Sequence, residues 1–122
     1  MSENPNVAAR TPEVPARLEE LGARLLDEAR SHSNGRSALT LTPSEGGPLK
    51  QTLLAIQAGS GLQDHPAPGP SSILVLSGSA TMSSGGGGDV RLEAGCWAPV
   101  PMESHRVDAD EDLVALLTVS IA

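Results

Sequence analysis

Residues 59–78 read GSGLQDHPAPGPSSILVLSG, and the division of this stretch decides the fold class. Leu62–His65 is a short extended run, and Ser72–Leu76 (SILVL) is a strongly β segment. Between them three prolines and Gly69 make a turn, because proline has no N–H for a strand ladder and fixes its own φ. The same alternation of apolar run and turn extends in both directions. Upstream, Ala38–Thr42 and Gln51–Gln57 (QTLLAIQ) read as strands. Downstream, Ala80–Ser83 and Val90–Glu93 flank Gly85-Gly86-Gly87-Gly88-Asp89, a hairpin connection. That glycine run is no phosphate loop, since neither a Lys-Ser/Thr pair nor a helix follows it. Cys96–Val100 and His105–Val107 are short strands. Leu113–Ile121 is the clearest strand: Leu113, Ala115, Leu117, Val119 and Ile121 share one face, with Thr118 and Ser120 opposite. Many short strands between Gly and Pro turns predict an all-β sandwich or barrel over residues 37–122.

The N-terminal third follows another period. Residues 1–10 are polar and read as a disordered tail. Val14, Leu18, Leu21 and Leu25 then recur at helical spacing, and Thr11-Pro12 suits an N-cap and first turn. Asn34-Gly35 is a stop signal. A helix over about 12–31, within an N-terminal unit of residues 11–36, is expected, its leucine stripe covering the barrel's outer face or a partner.

With 122 residues the chain builds one core, and with one Trp and no Tyr or Phe that core is aliphatic. A net charge of −7 and the missing aromatics argue against nucleic acid, which selects basic surfaces and stacking platforms. No apolar run approaches a membrane span, the polar face of the helix is acidic, and residues 1–10 are no signal peptide. The single cysteine, Cys96, excludes an intrachain disulfide. A cytoplasmic protein with no nucleic-acid or membrane partner is expected.

Several strings resemble the cupin superfamily, and one group of its small single-domain bacterial members in particular. The first motif of that superfamily is Gly, five residues, His-x-His, three or four residues, Glu, six residues, Gly. Here Gly59 and His65 fit, Ala67 replaces the second His, Ser71 replaces the Glu, and Gly78 closes the motif. The second motif is Gly, five residues, Pro-x-Gly, two residues, His. Here Gly95 and Pro101 fit, Glu103 replaces the Gly, and His105 comes one residue early. The strings Ser33–Ala38 (SNGRSA), Lys50–Leu53 (KQTL), His65–Pro70, Val75–Gly78 and His105–Val119 extend the likeness over about residues 14–122. The resemblance implies a double-stranded β-helix (jelly-roll) barrel behind one helix. It also implies pairing of subunits through their sheets, so a homodimer is expected.

In a metal-dependent cupin the two motifs supply three imidazoles and one carboxylate to one ion, a set suited to Fe, Mn, Ni, Cu or Zn. This chain lacks two of the four, since Ala67 has no donor and Ser71 offers a neutral hydroxyl. His65 and His105 remain as metal ligands, and two imidazoles alone hold a divalent transition metal weakly. If both stretches are extended, Gln63 and Glu103 join them on the cavity side. The expected pocket is therefore Gln63, His65, Ala67, Ser71, Ile73, Val75, Glu103 and His105, with no catalytic residue assigned.

Other residues take plainer readings. His32, at the helix end, suits the helix dipole. Cys96 reads as a buried apolar residue, and Trp97 as a pocket wall or interface residue. Asp108, Asp110, Glu111 and Asp112 read as a solvated turn. Three functions compete: a small-molecule-binding, regulatory cupin with at most a weak metal site; a metal-dependent dioxygenase- or isomerase-like enzyme; and a protein-interaction module. The missing ligands favour the first.

Overall fold

A computed structural model describes residues 7–8, 12–42, 47–65, 67–84 and 88–121, with backbone only at 7–8 and 63–65. Among the described residues ten strands and one helix follow one another: β1 Val7–Ala8, α1 Leu18–Ser31, β2 Arg36–Thr40, β3 Leu49–Ile56, β4 Gly61–His65, β5 Ser71–Ser77, β6 Ser79–Ser84, β7 Val90–Glu93, β8 Trp97–Val100, β9 His105–Ala109 and β10 Leu113–Ser120. They form a six-stranded sheet in the order β1-β2-β3-β10-β5-β8 and a four-stranded sheet in the order β4-β9-β6-β7. Every pairing is antiparallel except the short β1–β2 contact, which lies within the stretch expected to be a tail. Non-sequential neighbours such as β3-β10-β5-β8 are the topology of a jelly roll.

The core lies between the sheets, where strand alternation puts it. Ile73 and Val75 on β5, Ala98 and Val100 on β8, and Leu113 and Ala115 on β10 meet Ala80, Met82, Leu92, Val107 and Ala109 from the other sheet. A second cluster forms on the outer face of the large sheet, where Leu25 of α1 packs on Leu39, Leu53, Ala55 and Val114. Leu25 is 2% exposed, and its burial contributes about 2 kcal/mol. Gly22 faces Val114 so closely that a Cβ there would meet its methyl groups. The leucine stripe of the helix is thus spent inside the subunit.

The helix begins at Leu18, six residues later than its apolar spacing predicts, and its N-cap is Arg17 rather than Thr11. Pro15 keeps Val14 out of the helix, because a residue before proline is disfavoured in the α region. Val14, expected on the buried stripe, is 90% exposed. At the other end His32 is the C-cap, and its Nδ1 donates to the Arg36 carbonyl at 2.7 Å.

The β6–β7 hairpin has the expected register, from Ser79↔Glu93 to Met82↔Val90; Gly85–Gly87 lie outside the described residues. Two further expectations are corrected. Cys96 is exposed rather than buried, because it follows the Ala94-Gly95 turn at the start of β8. For Trp97 only the pocket-wall reading is corrected: it is 61% exposed on the outer face of the large sheet, where alternation points it away from Ala98 and the core.

The acidic turn is organised rather than merely solvated. Asp112 accepts the Ala58 N–H at 2.9 Å and the Arg30 guanidinium at 2.7 Å, tying α1 to two loops. These bonds, the Ala58 amide first, hold its carboxyl below the usual aspartate range. Ser79 donates to Glu111 and Thr81 to Asp110.

Candidate functional site

A cavity of about 140 Å³ opens between the sheets at the end where β5 starts and β10 finishes. The large sheet contributes Thr52, Ser71, Val100 and Leu117–Val119, the small sheet Leu62, His105 and Val107, and the proline turn Ala67 and Pro68. No Asp, Glu, Lys or Arg lies among these residues. The space follows from the sequence of β5. Ser71, Ile73 and Val75 alternate onto the inner face, but only the first is short and polar. Ser71 leaves room at the mouth, while Ile73 and Val75 are 0% exposed and fill the core beneath. These two residues, expected in the pocket wall, therefore belong to the packed interior.

His105 opens β9 with a strand pattern that buries it together with Val107 and Ala109. It is 5% exposed, and its Nδ1 lies 3.1 Å from the Glu103 carbonyl oxygen. A carbonyl only accepts, so Nδ1 carries the proton in this contact. Glu103 itself is exposed and meets His105 through its main chain. It is not among the cavity residues, because 102–104 form a bend rather than the extended run assumed for them. The Ala67 N–H donates to the Met102 carbonyl at 3.2 Å, closing the proline turn over the entry to β9. Ser71 Oγ donates to the Gly69 carbonyl at 2.7 Å and spends its proton on its own turn.

The backbone of β4 pairs His65 with His105 across a register shift between Leu62 and His65. Inward alternation counted from Leu62 is reset by that shift, which residue spacing alone does not reveal. The side chains of Gln63 and His65, both expected in the pocket, lie outside the described residues.

The described donors do not fit a resident transition metal. Among the described residues no three His, Cys, Asp or Glu side chains gather as a metal-binding group. At the motif positions Ala67 has no donor, the Ser71 hydroxyl is engaged, and the Glu103 side chain is exposed. Thr52, Pro68, Val100, Leu117 and Val119 were missed in the sequence. They come from three strands and the proline turn, far apart in sequence, and only the closing of one sheet on the other brings them together.

The motif glycines do have a structural meaning. Gly59, Gly78 and Gly95 all take positive φ, at 87°, 80° and 90°. At Gly78 a Cβ would also run into the Asp112 carbonyl oxygen, so glycine alone lets β5 turn directly into β6.

No family model and no curated protein matches the sequence. Solved structures do match its fold. A cupin superfamily protein from Desulfitobacterium hafniense DCB-2 aligns over 92% of this chain and 95% of its own, with a TM-score of 0.70 and 16% identity. An RmlC-like cupin from Desulfovibrio desulfuricans aligns over 70% of this chain and 82% of its own, at a TM-score of 0.61 and 24% identity. A salicylate 1,2-dioxygenase from Pseudaminobacter salicylatoxidans aligns over 83% of this chain but 33% of its own, at a TM-score of 0.69 and 16% identity. The neighbours thus include a dioxygenase beside proteins described as cupins, and the fold does not by itself assign an activity. With its two antiparallel sheets, its jelly-roll strand order and its positive-φ motif glycines, the chain has the fold of the small bacterial cupins.

Proposed function

We propose that this protein binds a small, uncharged, largely apolar molecule in the cavity between its sheets, as a binding or regulatory cupin rather than a metal-dependent enzyme. The carrying observation is the cavity itself: about 140 Å³, walled mainly by Leu62, Val100, Val107, Leu117 and Val119, with His105 on one side. Apolar cavities of about 150 Å³ accept a single benzene-sized ring. A charged ligand finds no countercharge among the described lining residues and would lose its hydration uncompensated. Thr52 and His105 offer polar contacts that orient a hydroxyl or carbonyl group. If His65 and His105 alone supply ligands, a divalent metal binds weakly and exchanges freely.

The test is thermal unfolding of the wild type and of Ala67→Phe with phenol or benzyl alcohol in millimolar excess. The reading predicts a concentration-dependent rise in Tm for the wild type. It predicts no rise for a folded Ala67→Phe protein, in which the ring fills the cavity. Equal responses from both proteins would place binding elsewhere. A wild type that carries a full, chelator-resistant metal through purification would overturn the reading in favour of an enzyme.

A further inference from the structure

A second concavity lies on the outer side of the large sheet, apart from the cavity between the sheets. Its volume is about 350 Å³, within the range of small-molecule pockets. The floor is apolar, made by Leu39 of β2, which is buried, and Leu21 of α1, which is half-buried. One wall is the segment 12–16, and the other is the first two turns of the helix with its N-cap. Arg17, Glu20, Leu21 and Arg24 recur at steps of three, one and three, which puts them on one helical face. Glu13 lines the groove from the opposite wall.

Charge points to the occupant. Glu13, Arg17, Glu20 and Arg24 make no ion pair with any described residue. The other described arginines are all engaged: Arg30 with Asp27 and Asp112, Arg36 with the Gly61 carbonyl, Arg91 with Asp110, and Arg106 with Asp108. Both signs of charge therefore stand open around one apolar floor. A simple anion would meet Glu13 and Glu20 as well as the arginines, in a chain of net charge −7. A simple cation would meet Arg17 and Arg24. An uncharged molecule would use the floor and none of the charges. A compact zwitterion with an apolar side chain uses all three features. Its carboxylate accepts from a guanidinium, its ammonium donates to a glutamate, and its side chain covers Leu21 and Leu39. We propose that the groove between residues 12–16 and α1 binds a free apolar α-amino acid, at a site separate from the cavity between the sheets.

Geometry and exposure set the strength. Arg17 and Arg24 stand two turns apart, roughly 10 Å along the helix, with Glu20 within about one turn of each. An α-amino acid spans one such turn, with its ammonium at Glu20 and its carboxylate on an arginine. All four charged side chains are exposed, so water and salt weaken each pairing. The ligand is therefore held reversibly, with dissociation around the millimolar range, and less tightly as salt is added.

The experiment is methyl-resolved NMR of the full chain titrated with L-leucine to about 10 mM. The same titration is made with N-acetyl-leucine, which lacks the ammonium, and with leucinamide, which lacks the carboxylate. Glu20→Gln and Arg17→Gln/Arg24→Gln proteins are compared with the wild type; the replaced side chains are exposed, so the core is untouched. Saturable shifts are expected at the Leu21 and Leu39 methyl groups. Affinity should fall about tenfold or more in both variants and for both analogues, since each loses a charge-assisted pairing. The methyl groups of Leu62 and Val107 should stay still, so ligand binding between the sheets stands or falls separately. No saturable shift at Leu21 or Leu39 overturns the proposal. N-acetyl-leucine binding as tightly as leucine makes this a plain anion site, and leucinamide doing so makes it a plain cation site; either result overturns it. Unchanged affinity in either variant does so as well.

Discussion

Replacing Gly78 by alanine separates the conformational demand of a motif glycine from its steric demand. Gly78 and Gly95 both hold positive φ, 80° and 90°, so each alanine incurs backbone strain of about 1–2 kcal/mol. Each also gains about 0.4–1 kcal/mol from a stiffer unfolded chain. Around the Gly95 Cβ position nothing lies within 4 Å. At Gly78 the new methyl meets the Asp112 carbonyl oxygen, which is rigid main chain at the entry to β10. Moving that segment disturbs the Ala58 and Arg30 bonds to Asp112, an overpacking cost of about 1–3 kcal/mol. Gly95→Ala should thus cost about 1 kcal/mol and Gly78→Ala about 2–4 kcal/mol. Urea unfolding followed by far-ultraviolet circular dichroism reads the difference as a midpoint about 1 M lower for Gly78→Ala, at unchanged slope. If Gly78→Ala is no less stable than Gly95→Ala, the close approach to Asp112 is not what holds glycine there.

Three further outcomes follow from the packing and the charges. Leu25→Ala should lose about 2–4 kcal/mol in the same assay, since the helix anchor leaves a cavity against Leu53 and Val114; a loss under 1 kcal/mol would mean that α1 is loosely docked. The depressed carboxyl of Asp112 stabilises the fold above the ordinary aspartate range, and this contribution is lost as pH falls through the lower folded value. Asp112→Asn should therefore cost about 1 kcal/mol at neutral pH, a figure already reduced for solvent screening, and the gap to the wild type should narrow as pH falls through and below the ordinary aspartate range; a gap independent of pH would contradict this. His105→Ala should cost about 1–2 kcal/mol, because the imidazole is buried and bonded to the Glu103 carbonyl, and should weaken binding of a hydroxylated ring more than of benzene. Equal weakening of both would remove His105 from a polar role.

The fold was legible because period-2 alternation and turn chemistry agreed along nearly the whole β region. Val90–Glu93 has the predicted bounds, and Leu113, Ala115 and Leu117 face the core as their spacing requires. The helix start was not legible, because apolar spacing continues through Val14 while Pro15 blocks the helix. For the site, parity identified the inward side of β5 but carried no information on depth. Ser71 lies at the mouth, whereas Ile73 and Val75 lie in the core. The bend at 102–104 exposes Glu103, and its local signal is the proline-rich approach, Pro99 and Pro101, which makes inward parity unreliable there. The register shift in β4 is a property of the pairing with β9. Thr52, Val100 and Leu117 needed the sheet closure itself, since they are distant in sequence and ordinary in type.

Methyl-resolved NMR of the full chain titrated with benzyl alcohol tests the cavity most directly. Saturable shifts should concentrate on the methyl groups of Leu62, Val100, Val107 and Leu117, with the His105 ring signals moving alongside them and distant methyls such as those of Leu25 unchanged. Shifts that never saturate, or that fall on Leu25 and Leu53 while the four cavity residues stay still, would contradict a ligand site between the sheets.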